Sequence, residues 1–137
     1  MKNQTLQTLA VIYKRIQNSR NSNSSFQEVM DSNKVEIDFL VNKFNLKMEE
    51  SLLLAGACIS IINDGNTSFD IDDLASQLEV NNFEILLQQQ HLKSLVEKGF
   101  FVEFPKECRR NCHNFQPAIA IMNKEFALHT SFGQHLA

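Results

Sequence analysis

The stretch "EKGFFVEFPKECRRNCHNFQPAIAIMN", residues 97 to 123, decides how the rest of the chain is read. "FFVEF" is aromatic and β-branched, which predicts a strand. Pro105 has no amide hydrogen, so it ends that strand or marks a sheet edge. Basic and cysteine-bearing residues follow, and "FQPAIAIMN" predicts a second strand. The two runs form a hairpin with a polar tip. Such a hairpin grips nucleic acid, holds a metal, or closes the edge of a small domain, and the residues upstream must decide which.

Working backwards, "NNFEILLQQQHLKSLVEKG" predicts a long helix. Asn81 or Asn82 caps it. Phe83, Leu86, Leu87, Leu92, Leu95 and Val96 supply its apolar positions, and Gly99 stands where a left-handed C-terminal cap is expected. "NTSFDIDDLASQLEV" predicts a loop, a very short strand at Phe69 to Ile71, and a short helix capped by Asp72, with Leu74, Ala75 and Leu78 inward. "NLKMEESLLLAGACISIIND" predicts a helix that Asn45 can cap, with Glu49 and Glu50 in the first turns, where the helix dipole favours acids. It is apolar almost all round from Leu52 to Ile62, so it belongs at the centre of the core.

A further helix is predicted from about Ser25 to Phe44, with Phe26, Val29, Met30, Ile37, Leu40, Val41 and Phe44 on one face and a possible break at "DSNK", 31 to 34. Residues 4 to 17 place Leu6, Leu9, Ala10, Tyr13 and Ile16 three or four apart, the stripe of an amphipathic helix. "NSRNSNSS", 18 to 25, has no apolar residue and reads as a linker or exposed loop. The expected organisation is an N-terminal helix and Ser/Asn-rich linker over 1 to 25, then one domain over 26 to 137.

The chain has 137 residues, of which 43% are hydrophobic, enough for one core. Net charge is −3, whereas a domain that lives on phosphate contacts usually carries a basic excess. Cys58, Cys108 and Cys112 are an odd set and do not suggest a secreted disulfide framework. The N-terminus lacks the pattern of a signal peptide, and no apolar run reaches the ~18 residues of a membrane span. The expectation is a soluble, cytoplasmic protein without a membrane role.

From Asn45 to about Met122, the order helix, short strand, helix, helix, hairpin resembles a winged helix, carried by "FDIDDLASQL", "LKSLVEKGFFVEF" and "AIAIM". More narrowly, residues 26 to 130, with "FNLKMEESLLLAG" and "FDIDDLA", resemble the N-terminal region that precedes the ATPase module in some bacterial AAA-family ATPases. The resemblance implies a fold of the α+β class, mostly α: a winged-helix domain with additional N-terminal helices and a small β-hairpin wing. It also implies a protein partner or an adjoining ATPase module outside this chain. The chain itself has no G-x-x-x-x-G-K-[ST] loop and no acidic strand end to hold magnesium, so no ATPase activity and no cofactor are expected of it.

In DNA-binding winged helices the helix at 83 to 98 enters the major groove. Here Glu84, Lys93, Glu97 and Lys98 sum to no net charge, and Gln88, Gln89, Gln90 and His91 are polar. Asp64, Asp70, Asp72, Asp73 and Glu79, just upstream, repel phosphate. The wing carries Lys106, Arg109, Arg110 and His113 against Glu107, a small basic patch of the kind that touches phosphates. The candidate contact residues are therefore Gln88, Gln89, His91, Lys93, Lys106, Arg109, Arg110 and His113.

Cys108, Cys112 and His113 raise zinc, since C-x₃-C spacing is allowed, but no second ligand pair stands nearby. His91 or His129 would have to complete such a site, and free or oxidisable thiols explain the cysteines more simply. Cys58 reads as a small core residue. Asp70, Asp72 and Asp73 lack the glycine and terminal glutamate of an EF-hand, and no nucleophile–base–acid grouping has motif context. The favoured reading is a non-catalytic accessory domain that makes protein contacts; the alternative is a DNA-binding transcriptional regulator using the same helix and wing. A basic stripe joining Lys93, Arg109 and Arg110 favours DNA, and an acidic or apolar patch favours a protein.

Overall fold

The computed structural model describes residues 3–19, 24–105 and 120–136. The chain is mostly helical with a small two-stranded antiparallel sheet, an α+β architecture. At its centre lies α4, Met48–Asp64, where every residue from Glu50 to Ser60 is buried. A helix apolar on all sides has to be surrounded. α1 (Gln4–Ser19), α3 (Lys34–Phe44), α5 (Ile71–Leu78) and α7 (Gln89–Glu97) all pack on it.

α1 buries Leu9, Ile12 and Ile16 in the same core as α4. Ala10, expected inward, is exposed, and Ile12 takes the inward position. The helix predicted over 25 to 44 does break within "DSNK": it is α2 (Phe26–Ser32) and α3, divided at Asn33. Asn33 is buried, its Nδ2 donates to the Val29 carbonyl at 2.8 Å, and its Oδ1 accepts from the Arg15 guanidinium at 3.1 Å. A side-chain amide that takes a helix carbonyl competes with the ladder and ends it.

Several predicted caps move. Asn45 does not cap α4; it is left-handed, φ 56°, and closes α3 with its N–H on the Val41 carbonyl. Lys47 occupies the N-cap of α4 instead, and Glu50 reaches back to accept from the Lys47 N–H at 2.8 Å. Asp70, not Asp72, caps α5: its Oδ1 accepts from the Asp73 N–H, and Asp73 Oδ2 accepts from the Asp70 N–H, both at 3.0 Å. Ile71 thus belongs to the helix. Of the strand predicted at Phe69 to Ile71, only Phe69 pairs, in a two-way bridge to Phe126 with both N–H···O distances at 2.8 Å.

The helix predicted from 82 to 98 breaks at Leu87 and Gln88 into α6 (Asn82–Leu86) and α7. α7 ends as expected, with Gly99 left-handed at φ 84°. β1 (Phe101–Pro105) follows. The second strand is displaced: β2 is Lys124–Leu128, Ala120–Asn123 form a 3₁₀ turn, and residues 115–119 of the predicted strand lie outside the described residues. The register pairs Phe101 with Leu128 and Glu103 with Phe126. This register places Phe101 and Phe126 inward against Phe69, with ring centroids 5.0 Å and 5.8 Å from it. The segment "NKEFALHTSFG" reads as a last helix or turn; it begins instead as a strand whose one buried residue is Phe126. Only Thr130–Gly133 form a helix there, α8, whose Phe132 is buried beside Phe44 and Phe100.

Candidate interaction surface

α7 is held to α4 by a buried carboxylate. Glu50 is fully buried, at 0% exposure. It accepts from Lys98 Nζ at 2.8 Å, from the Ser94 hydroxyl, and from the Lys47 N–H. Burial acts to raise its pKa, but the hydrogen bonds from Lys98, Ser94 and Lys47, with the Lys98 charge, outweigh that and hold the carboxyl below its usual range. His91 turns the same way, with Nε2 3.8 Å from Glu49 Oε2 and its side chain largely covered. It is thus spent on α4 rather than presented outward.

Of the other candidate contact residues, Gln89 and Lys93 are exposed on α7 and Gln88 is half-buried at the break. Lys106, Arg109, Arg110 and His113 lie outside the described residues, as do Cys108 and Cys112. The stripe that would join Lys93 to Arg109 and Arg110 therefore falls beyond what the structure describes. Among the described residues no group of three or more His, Cys, Asp or Glu is placed to hold a metal ion. His129 caps α8, accepting from the Ser131 N–H at 3.1 Å. Cys58 is buried in α4, which pushes its thiol pKa far up and leaves it unreactive.

The structure exposes a pair of residues that sequence periodicity had assigned to the core. Phe83 on α6 and Leu87, the residue that closes it, are 76% and 71% exposed. The inward residue of α6 is Ile85, which is fully buried. At ~100° per residue, positions two away from Ile85 in either direction lie on the far side of the helix. The signal was present in "NFEILLQQ": only one of the 83/87 and 85 sets can face inward on so short a helix, and apolarity alone does not choose.

Carboxylates crowd the same end of the molecule. Asn82 Nδ2 donates to Asp72 Oδ1 at 2.5 Å, and the Phe26 N–H donates to Glu84 Oε1 at 2.7 Å. Partial burial and the neighbouring charges of Asp70 and Asp64 raise the Asp73 carboxyl above its ordinary value, against a hydrogen bond from the Asp70 N–H that lowers it. No Lys or Arg stands anywhere between Met48 and Leu92. Elsewhere, an apolar groove of about 340 Å³ runs between α1 and α4, lined by Leu6, Leu9, Tyr13, Ile59 and Ile62 and without a titratable cluster.

Comparisons with protein-family models, with curated proteins and with solved structures find no match. Among the described residues no helix is long and apolar enough to cross a membrane.

Proposed function

We propose that the chain is a non-catalytic winged-helix accessory domain that makes protein contacts in the cytoplasm, of the kind found before the ATPase module of bacterial AAA-family ATPases. The element order supports the winged-helix reading: α4, the Phe69 bridge, α5, the broken helix α6–α7, β1 and β2. The Phe69 bridge to Phe126 is what a short first strand laid against the returning strand of a wing would make.

One observation carries the protein-contact reading. The helix that a DNA reader would lay in a groove presents Phe83 and Leu87 to solvent, amid carboxylates. Phosphate repels that surface, whereas a protein partner buries it. Only Lys93 among the proposed basic contacts lies on the described part of the surface.

Anisotropy titration of labelled duplex DNA at physiological salt tests this. Weak binding that fades with salt is expected. Nanomolar affinity for one sequence, lost in Arg109→Ala/Arg110→Ala, would replace the proposal with a DNA-binding regulator. The family assignment has its own test in the coding sequence beyond Ala137: a phosphate-binding loop there supports it, and none removes the ATPase from the proposal.

A further inference from the structure

The corner where α2, α5 and α6 meet joins an exposed apolar pair to an excess of carboxylates. Phe83 and Leu87 lie one turn apart on one face of the chain, and both are more than two-thirds uncovered. The Asn82–Asp72 hydrogen bond places the first turn of α5 beside them. The hydrogen bond from the Phe26 N–H to Glu84 brings in the start of α2. These three helices carry Glu28, Asp31, Asp72, Asp73 and Glu84 and no Lys or Arg of their own; the Arg15 guanidinium reaches only the far end of α2, at the Ser32 carbonyl.

We propose that this corner docks a basic amphipathic helix of a protein partner. The partner's apolar side chains cover Phe83 and Leu87, and its Lys or Arg residues meet the surrounding carboxylates. Charge selects among the occupants. A second copy presenting the same face would set carboxylate against carboxylate, which disfavours self-association there. Nucleic acid and an anionic lipid surface are repelled for the same reason. The apolar pair supplies affinity by leaving water, and the carboxylates supply orientation and partner choice.

This rests on the protein-contact reading, so the experiment separates the two. The full chain is titrated, by fluorescence anisotropy, into a labelled Leu/Lys amphipathic peptide of about 18 residues, long enough to be helical. Its Leu/Glu counterpart and a labelled DNA duplex are run in parallel. The Leu/Lys peptide is expected to bind at least ~10-fold more tightly than the Leu/Glu peptide. Phe83→Ser/Leu87→Ser should weaken that binding ~10-fold while circular dichroism and melting stay unchanged, because both side chains are already in water. Asp72→Asn should flatten the salt dependence, and it keeps the oxygen that Asn82 uses. Val35→Ser, which removes an equally exposed apolar side chain on α3, should change nothing. Equal binding of both peptides, or full binding by the serine variant, overturns the docking corner alone. Tight duplex binding overturns the protein-contact reading with it. A dimer seen in sedimentation and abolished by the serine changes assigns the corner to a second copy, which also overturns the proposal.

Discussion

Lys98 Nζ sits 2.8 Å from Glu50 Oε1, so the last turn of α7 is tied to the first turn of α4 through a carboxylate with no exposure of its own. Ser94, one turn earlier on α7, donates to the other oxygen of the same group. A buried charge is tolerated because every lone pair that faces a donor is used. The bond sets how α7 lies on α4, and so where Gln89 and Lys93 point.

Glu50→Ala should therefore destabilise the protein by about 1–3 kcal/mol, because the Ser94 hydroxyl and the Lys47 N–H lose their acceptor in a buried place. Glu50→Gln, which keeps one oxygen, should cost less. Lys98 reaches solvent and can rehydrate in Glu50→Ala, whereas Lys98→Met leaves a fully buried carboxylate without its cation, so Lys98→Met should cost at least as much as Glu50→Ala. Urea melts of the three variants give the order.

The same carboxyl predicts an acid dependence. Despite its burial, the hydrogen bonds and charge of Lys98 and the bonds from Ser94 and Lys47 hold its folded pKa below the ordinary carboxylate value. A lowered carboxylate pKa stabilises the fold at pH values above the unfolded pKa, and that stability is lost as pH falls through the folded pKa. Stability should hold from neutral pH down to about 4.5 and then decline, with a shallower decline in Glu50→Gln than in the parent. Thermal melts between neutral and acid pH measure the difference in slope.

Leu95 is fully buried on α7 and Gln89 is exposed on the same helix. Leu95→Ala should lose about 2–5 kcal/mol through transfer and cavity formation. Gln89→Ala should change stability by less than about 0.5 kcal/mol. Comparable urea midpoints for the two would mean that the α7 phase is misassigned.

Glu79 is left-handed at φ 55°, closes α5, and has a buried Oε2 without a hydrogen-bond partner. A residue with a β-carbon is strained there, and glycine is not. Glu79→Gly should raise stability by about 0.5–1 kcal/mol despite the added freedom of the unfolded chain. A lower melting temperature in this variant would show that the Glu79 side chain contributes more than its backbone strain costs.

Phe126 stacks on Phe69 at an interplanar angle of 22° and lies opposite Glu103 in the ladder. Phe126→Ala should cost about 3–5 kcal/mol. It should also speed hydrogen exchange at the Phe69 amide more than at amides inside α4, because the bridge loses the ring that holds it.

Sequence pattern by itself determined the elements whose signal is local. The all-round apolarity of Leu52 to Ile62 placed α4 at the centre, Gly99 marked the end of α7, and "FFVEF" marked β1. Period and capping chemistry act within a few residues, so they can be read without the fold. The tertiary structure alone decided matters of competition between near-equal local choices. "DSNK" already offered a break between 31 and 34, and the fold realised it at Asn33, whose amide bonds both Arg15, from α1, and the Val29 carbonyl. Asp70 rather than Asp72 became the cap because Phe69 had to reach Phe126 in the sheet. "KEFAL" rather than "FQPAIAIMN" supplied the partner of β1 within the described residues, since that register carries Phe126 into the Phe69 and Phe101 cluster. The exposed pair Phe83 and Leu87 arose in the same way. One helix of five residues can turn either Ile85 or its neighbours inward, and contact with α5 chose Ile85. Apolar residues report that burial is favourable; which of them obtain it depends on where the neighbouring helices lie.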